Sequence, residues 1–283
     1  MVLSGNFETR HSERDAGLPK RRNEILESAM DDLTKDKHVI GIYLGGSLAK
    51  DNFDVYSDID LHIIVAPDRK KDFIKDKRNR SKNWGNVLFY EDSSAFSPVV
   101  VTHFDCFVKV DSWYHSPEDL EPSIWLKGLK SLYDPNGIIH KVLEESSLLE
   151  YKPSKEDVEF WRRKILAFIH ETYRAVMRNE HYYALSNLDR IRWLLVSGWY
   201  MEMEQHLDGS YGIWSKLEGS RSSLEPWQLT LLESWDSARA LQDIMKTMAS
   251  MIPEFLILNR KLCQQIGHAE DEERIKRIIE MAF

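Results

Sequence analysis

An α+β half followed by an all-α half is the fold class that this sequence predicts, and three observations predict it. Short apolar runs of strand character, "HVIGIYL", "IDLHIIV", "NVLFYE" and "VVVTHFDCFVKV", crowd the chain before residue 152. Beyond that point, apolar residues recur at helical spacing. The composition, 42% hydrophobic and 11% aromatic over 283 residues, is that of a folded chain long enough for two domains of ordinary size. The expected division is 1–151 and 152–283.

A helix is expected from about Leu18 to Leu33, ahead of the strands. "VIGIYL" reads as a strand that runs into Gly45-Gly46-Ser47, with "LAKD" opening a short helix. "IDLHIIV" is the next strand. The basic run from Arg69 to Lys82 contains Asp72, Asp76, Phe73 and Ile74, which suits a solvated helix face better than a nucleic-acid site. "VVVTHFDCFVKV" reads as one strand in which Asp105 faces away from Phe104 and Cys106. In the second half, Val158, Trp161, Ile165, Phe168 and Ile169 form an apolar stripe behind Ser154, a cap candidate paired with Asp157. Leu185, Leu188, Ile191, Leu195 and Trp199 form another stripe. Further helices open at Pro226 and cover "EERIKRIIEMAF". Pro253 is expected to kink or end the helix that carries "MKTMASMI".

Several function classes are excluded or disfavoured. The formal charge of −8 disfavours a general nucleic-acid binder and favours cationic small molecules. No apolar run reaches the ~20 residues of a membrane span, and the polar amino terminus carries no export signal. Cys106 and Cys263 lack metal-ligand spacing and suit a reducing cytoplasm. No dinucleotide fingerprint and no Gly-Lys-Ser/Thr phosphate loop occurs. The histidines show no zinc spacing; His62, His103 and His140 read as structural or exposed.

The chemistry concentrates in "GIYLGGSLAKDNFDVYSDIDLHIIV". Glycine lets backbone approach an anion closely, so a strand–turn–helix at Gly45-Gly46-Ser47 is a phosphate cradle. Asp58 and Asp60 alternate along a strand, so both project from one face, about 7 Å apart at the Cα atoms. Two carboxylates held together repel unless a cation lies between them, and Mg²⁺ prefers such oxygen ligands. Asp105, on a neighbouring strand, is the expected third carboxylate.

Gly45-Gly46-Ser47, ten intervening residues, Asp58-x-Asp60 and a later strand aspartate resemble the nucleotidyltransferase superfamily with the DNA polymerase β-like fold. Within it, the layout is similar to the aminoglycoside and lincosamide nucleotidyltransferases, which place a helical domain after the catalytic one. "SLYDPNG" is similar to a segment near the end of their catalytic domain. The resemblance covers Gly41 to Asp105 in specific motifs and the remainder only in order and character. It implies a mixed-sheet catalytic domain at 1–151 and a helical-bundle, substrate-binding domain at 152–283. It further implies transfer of a nucleoside monophosphate, AMP from ATP above all, to a hydroxyl of a small, cationic, aminoglycoside-type acceptor, with pyrophosphate released. Asp58, Asp60 and Asp105 would be the catalytic and Mg²⁺-binding residues, in a two-metal site. Gly45, Gly46, Ser47 and Lys50 would bind the triphosphate, with Arg192 and Lys216 joining from the helical half across a cleft. Two other readings compete: an antitoxin-type nucleotidyltransferase acting on a partner protein, and a catalytically silent nucleotide sensor. Arg163 and His170 only faintly match the first, and intact carboxylates speak against the second.

Overall fold

The computed structural model describes residues 10–92, 94–269 and 271–283. The chain divides into two compact units, one ending at Leu149 and the other beginning at Glu150.

The first unit is a six-stranded mixed sheet in the order β3-β4-β5-β2-β1-β6. The strands are β1 (Val39–Leu44), β2 (Ile59–Val65), β3 (Val87–Glu91), β4 (Val99–Phe104), β5 (Lys109–His115) and β6 (Lys130–Tyr133). β2 and β5 are parallel and all other neighbours are antiparallel. Strand alternation sorts the side chains into two layers. Ile59, Leu61 and Ile63 of β2 and Val110 and Tyr114 of β5 are buried together with Leu18, Ile25, Ala29 and Leu33 of α1 (Ser12–Thr34) and Phe73 of α3 (Lys70–Ser81). The opposite face carries Tyr43 and Ile64, which pack with Ile139 and Val142 of α4 (Ile138–Ser147). α1 begins six residues before the expected Leu18 and continues through Pro19.

Lys77 of α3 is buried at 2% exposure, an unusual place for an ammonium. Its Nζ donates to the carbonyls of Ser94, Ser97 and Val99 at 2.8–3.1 Å. It also pairs with the buried Asp92 carboxylate at 3.3 Å. One cation thereby satisfies three carbonyls and a carboxylate between β3 and β4.

The second unit is helical: α5 (Lys155–Met177), α6 (His181–Glu202), α7 (Pro226–Ser234), α8 (Leu241–Gln265) and α9 (Glu272–Glu280). α5 starts at the expected cap, with Ser154 Oγ accepting from the Asp157 amide and the Asp157 carboxylate accepting from the Ser154 amide. Trp161 of α5 packs against Gly198 of α6, where a Cβ would lie 2.9 Å from the indole, and its Nε1 donates to Leu194 O at 2.6 Å. α8 corrects part of one expectation, because it does not end at Pro253 but continues through it to Gln265. Ile244, Met248, Met251, Phe255, Leu258 and Leu262 are all buried and continue one apolar stripe across the proline. Burial of that stripe outweighs the ~3 kcal/mol that proline costs a helix interior. Trp161, Trp193 and Trp199 are buried, and Trp214 packs against the same core. Among the described residues, no helix is long and apolar enough to cross a membrane.

Replacing Lys77 by Met keeps the side-chain length but leaves three carbonyls without their donor and Asp92 with Arg78 as its remaining cation. Breaking a buried pair in this way costs about 3–5 kcal/mol. Urea unfolding of the Lys77→Met chain should show that loss, and an unchanged midpoint would mean the ion pair is energetically idle.

Candidate active site

The parallel register of β2 and β5 sets Asp60 directly beside Asp111. Asp58 precedes β2 by one residue and faces the same way as Asp60. The three carboxylates each offer an oxygen, and these oxygens lie within 4.8 Å of one another. All three residues are half-buried. Asp111 Oδ1 is buried and accepts no hydrogen bond, although Lys109 Nζ lies 3.2 Å from it as an ion-pair contact. A hard divalent cation suits such a set, because carboxylate oxygens are its preferred ligands and Asp111 Oδ1 has no hydrogen bond to give up.

Asp105 does not join this cluster. The run read as one strand is a hairpin, with β4 ending at Phe104 and β5 starting at Lys109. Asp105 is exposed at its turn, where its amide donates to Asn86 O at 2.9 Å and its carboxylate accepts from Asn86 Nδ2 at 3.1 Å. Phe107 takes φ 68° to close the turn. Six residues later, Asp111 occupies the place expected of Asp105. A signal for it was present: Val110, Ser112 and Tyr114 alternate with Asp111 in "KVDSWYH".

The Gly-Gly-Ser turn is packed onto the cluster. Gly45 N donates to Asp60 O at 2.8 Å, and α2 (Gly46–Ala49) follows as the expected short helix. Gly46 has φ 57°, and a Cβ on it would lie 1.7 Å from Asp60 Oδ2. A Cβ on Gly45 would lie 2.8 Å from His62 Nε2. Both glycines are thus demanded by close approach of the turn to β2. Gly45 and Ser47 are buried, whereas Gly46 and Lys50 are half-exposed.

Two cationic groups serve the cluster from nearby elements. Lys109, two residues before Asp111, places Nζ 2.6 Å from Asp58 Oδ2 and 3.2 Å from Asp111 Oδ1. Burial disfavours its charge, but the bond to Asp58 and the charges of Asp111 and Asp58 outweigh burial and hold the ammonium above its ordinary range. Burial pushes the Asp111 carboxyl up, Lys109 opposes this, and the charges of Asp58 and Glu91 add to it. Arg22 of α1, buried at 4% exposure, donates from Nη1 to the carbonyls of Asp54 and Ser57 at 3.0 and 2.9 Å. It fixes the segment that delivers Asp58. Neither Lys109 nor Arg22 stands out in the sequence, since a lone cation in a strand or helix carries no motif.

Behind the carboxylates, the same face carries a stack of rings. Tyr43 lies on His62 with centroids 4.5 Å apart, and His62 is flanked by His115 and Trp113 at 5.3 and 6.1 Å. His62 Nδ1 and His115 Nε2 share a hydrogen bond of 3.0 Å. Burial, and secondarily the neighbouring His115, pushes the His62 pKa down to about 3. Burial also lowers that of His115.

Of the two candidates in the helical unit, Arg192 is held by contacts within it. Arg192 of α6 donates from Nε and Nη2 to Trp235 O at 2.9 and 2.7 Å, and pairs with Asp189 at 3.8 Å. Asp189 in turn accepts from Trp214 Nε1 at 3.1 Å. Lys216 is half-exposed at φ 66°. His170 Nε2 bonds Ile278 O at 2.7 Å, and Arg163 pairs with Glu159 along α5.

A family model described as streptomycin adenylyltransferase matches residues 20–282 of the chain. An aminoglycoside 6-adenyltransferase from Bacillus subtilis superposes with a TM-score of 0.43 at 15% identity, over 92% of this chain and 97% of that one. A nucleotidyltransferase-like protein from Exiguobacterium sibiricum gives 0.39 at 10% identity, over 88% and 80%. No curated protein matches.

His62 stays neutral in the folded chain down to about pH 3, whereas an unfolded histidine takes up its proton near pH 6.5. The unfolded state therefore binds more protons between those values, and stability should fall as pH drops from about 6.5 towards 3. Melting curves across that range should show the decline, and His62→Phe should flatten part of it; an equally steep decline in the variant would assign the dependence to other groups. Gly46→Ala forces a Cβ into the Asp60 carboxylate at a left-handed backbone position. It should lower the melting midpoint and weaken Mn²⁺ binding together, and wild-type values for both would show that the turn has room to spare.

Proposed function

The chain belongs to the streptomycin adenylyltransferase family and is a nucleotidyltransferase enzyme, and from that premise we propose that it transfers AMP from ATP to a hydroxyl of a small cationic acceptor of the aminoglycoside type. The observation that carries this reading is the Asp58, Asp60 and Asp111 cluster beside the Gly45-Gly46-Ser47 turn. The acceptor oxygen forms its bond to the α-phosphorus, the bond from that phosphorus to the β-bridging oxygen breaks, and pyrophosphate leaves as the hydroxyl loses its proton.

Asp58, Asp60 and Asp111 would hold Mg²⁺. When bound, the metal neutralises the triphosphate and stabilises charge on the attacked phosphoryl group. The chain's own contribution is positioning. Strands β2 and β5 fix the carboxylates on a rigid face, and Arg22 holds the approach to Asp58. The half-exposed Gly46 presents backbone at which phosphate oxygens can approach closely. The acidic balance of the chain, −8 overall, favours a cationic acceptor over a polyanionic one. The unit from Glu150 onward is assigned to acceptor recognition, with Arg192 as a brace inside that unit.

Single-turnover adenylyl transfer from ATP to streptomycin and other aminoglycosides tests this reading. Asp58→Asn, Asp60→Asn and Asp111→Asn should each lose about a hundredfold to a thousandfold or more in rate, the scale for removing a key electrostatic group. Asp105→Asn should keep nearly the full rate. A dead Asp105 variant beside an active Asp111 variant would overturn the assignment of the third carboxylate, and near-normal rates for the folded Asp58 and Asp60 variants would sink the mechanism.

A further inference from the structure

Lys109 stands among the carboxylates that a metal would need. Its Nζ touches two of the three, Asp58 at 2.6 Å and Asp111 at 3.2 and 3.3 Å. The formal charge of the group is therefore −2 rather than −3. Its backbone is fixed by the ladder, with Lys109 opposite His103 in the β4–β5 pair. The side chain is a flexible four-carbon stem with a compact, strongly hydrated charge, so the ammonium can leave while the strand stays. A divalent ion and an ammonium seek the same lone pairs and repel each other at this separation. Entry of metal into the set thus requires Nζ to give up Asp58, Asp111 or both.

We propose that Lys109 is a displaceable counter-ion that makes metal binding depend on the triphosphate. Bare divalent ion competes with a resident ammonium and is held weakly. Metal that arrives with a triphosphate brings a polyanion with which the released ammonium pairs, so displacement is compensated. By linkage, metal and nucleotide then strengthen each other's binding by the same factor. This rests on the metal-binding reading of the cluster.

The experiment is a titration with Mn²⁺, read from the free-ion paramagnetic resonance signal, with and without a non-hydrolysable ATP analogue. It uses the full chain, wild type and four variants. Lys109→Met should bind Mn²⁺ alone about tenfold or more tighter than wild type, within the usual range of coupling, and the enhancement by nucleotide should shrink by the same factor. Lys109→Gln, of similar polarity, should behave like the Met variant and stands in for it if that chain folds poorly. Lys109→Arg keeps the cation and should keep the wild-type coupling. Lys75→Met removes the same charge from the exposed face of α3 and should leave Mn²⁺ affinity within about threefold, since distant exposed charges are screened. Unchanged or weaker Mn²⁺ binding by the Lys109→Met chain, or equal tightening by the Lys75 variant, would overturn the proposal while leaving the metal site intact. Wild-type protein that binds no Mn²⁺ even with nucleotide would remove the metal reading and the role of Lys109 with it.

Discussion

The parallel pairing of β2 with β5 is the constraint on which the rest of the site depends. Side chains alternate along a strand, so the register that sets Ile59 beside Val110 also sets Asp60 beside Asp111. A slip of one residue would turn either aspartate into the layer under α1 and α3, where an unpaired carboxylate would be very costly. The apolar layer therefore chooses the geometry of the polar one. Ile59, Leu61, Ile63, Val110 and Tyr114 are each at most 1% exposed, and their burial fixes the register that brings like charges together.

Like charges at a strand start require compensation, and the surroundings supply it unevenly. Lys109 is in direct contact, and Arg22 adds a more distant positive charge while bracing the segment before Asp58. The rings behind the carboxylates supply none: His62, in the middle of the stack, keeps its charge off because burial disfavours it and His115 lies against it. A neutral wall that excludes water on one side strengthens every electrostatic interaction at the cluster. The same wall explains Gly45, since His62 Nε2 occupies the volume that a Cβ would need. Glycines that the sequence offers as a phosphate cradle are thus required first by packing. The two demands agree, because a backbone pressed against Asp60 also lies beside whatever cation Asp60 holds.

Much of this was legible in the sequence, for reasons that separate local from tertiary signals. The Gly-Gly-Ser turn, the Asp-x-Asp strand and the Ser154 cap are written in short patterns with fixed physical consequences, and they were read correctly as elements. Asp111 was missed because the turn between β4 and β5 carries no glycine, proline or asparagine; Phe107 adopts the left-handed conformation in their place. Nothing in "VTHFDCFVKV" announces a reversal, so Asp105 stood in for a residue one strand later. Pro253 misled in the opposite sense. A local rule says the helix should kink or end, and a buried stripe running from Ile244 to Leu262 carries it past the proline without ending. The buried Lys77 and the bridging Lys109 were illegible, because in sequence each is one more cation in a chain with 38 of them.

Lys77 and Lys109 show how burial separates two uses of the same side chain. Lys77 is enclosed by three carbonyls and Asp92, all fixed by the fold. Moving its ammonium would leave the three carbonyls unsatisfied in the interior, with Asp92 held by Arg78 alone, so the contact is structural and permanent. Lys109 is only half-buried, and each of its partners is a carboxylate that a stronger cation would also satisfy. Removing that ammonium costs little when a divalent ion takes its place and a triphosphate receives it. A charge surrounded by irreplaceable partners holds a fold together. One surrounded by partners with an alternative is free to exchange, and in this chain it lies at the group of carboxylates where exchange would carry function.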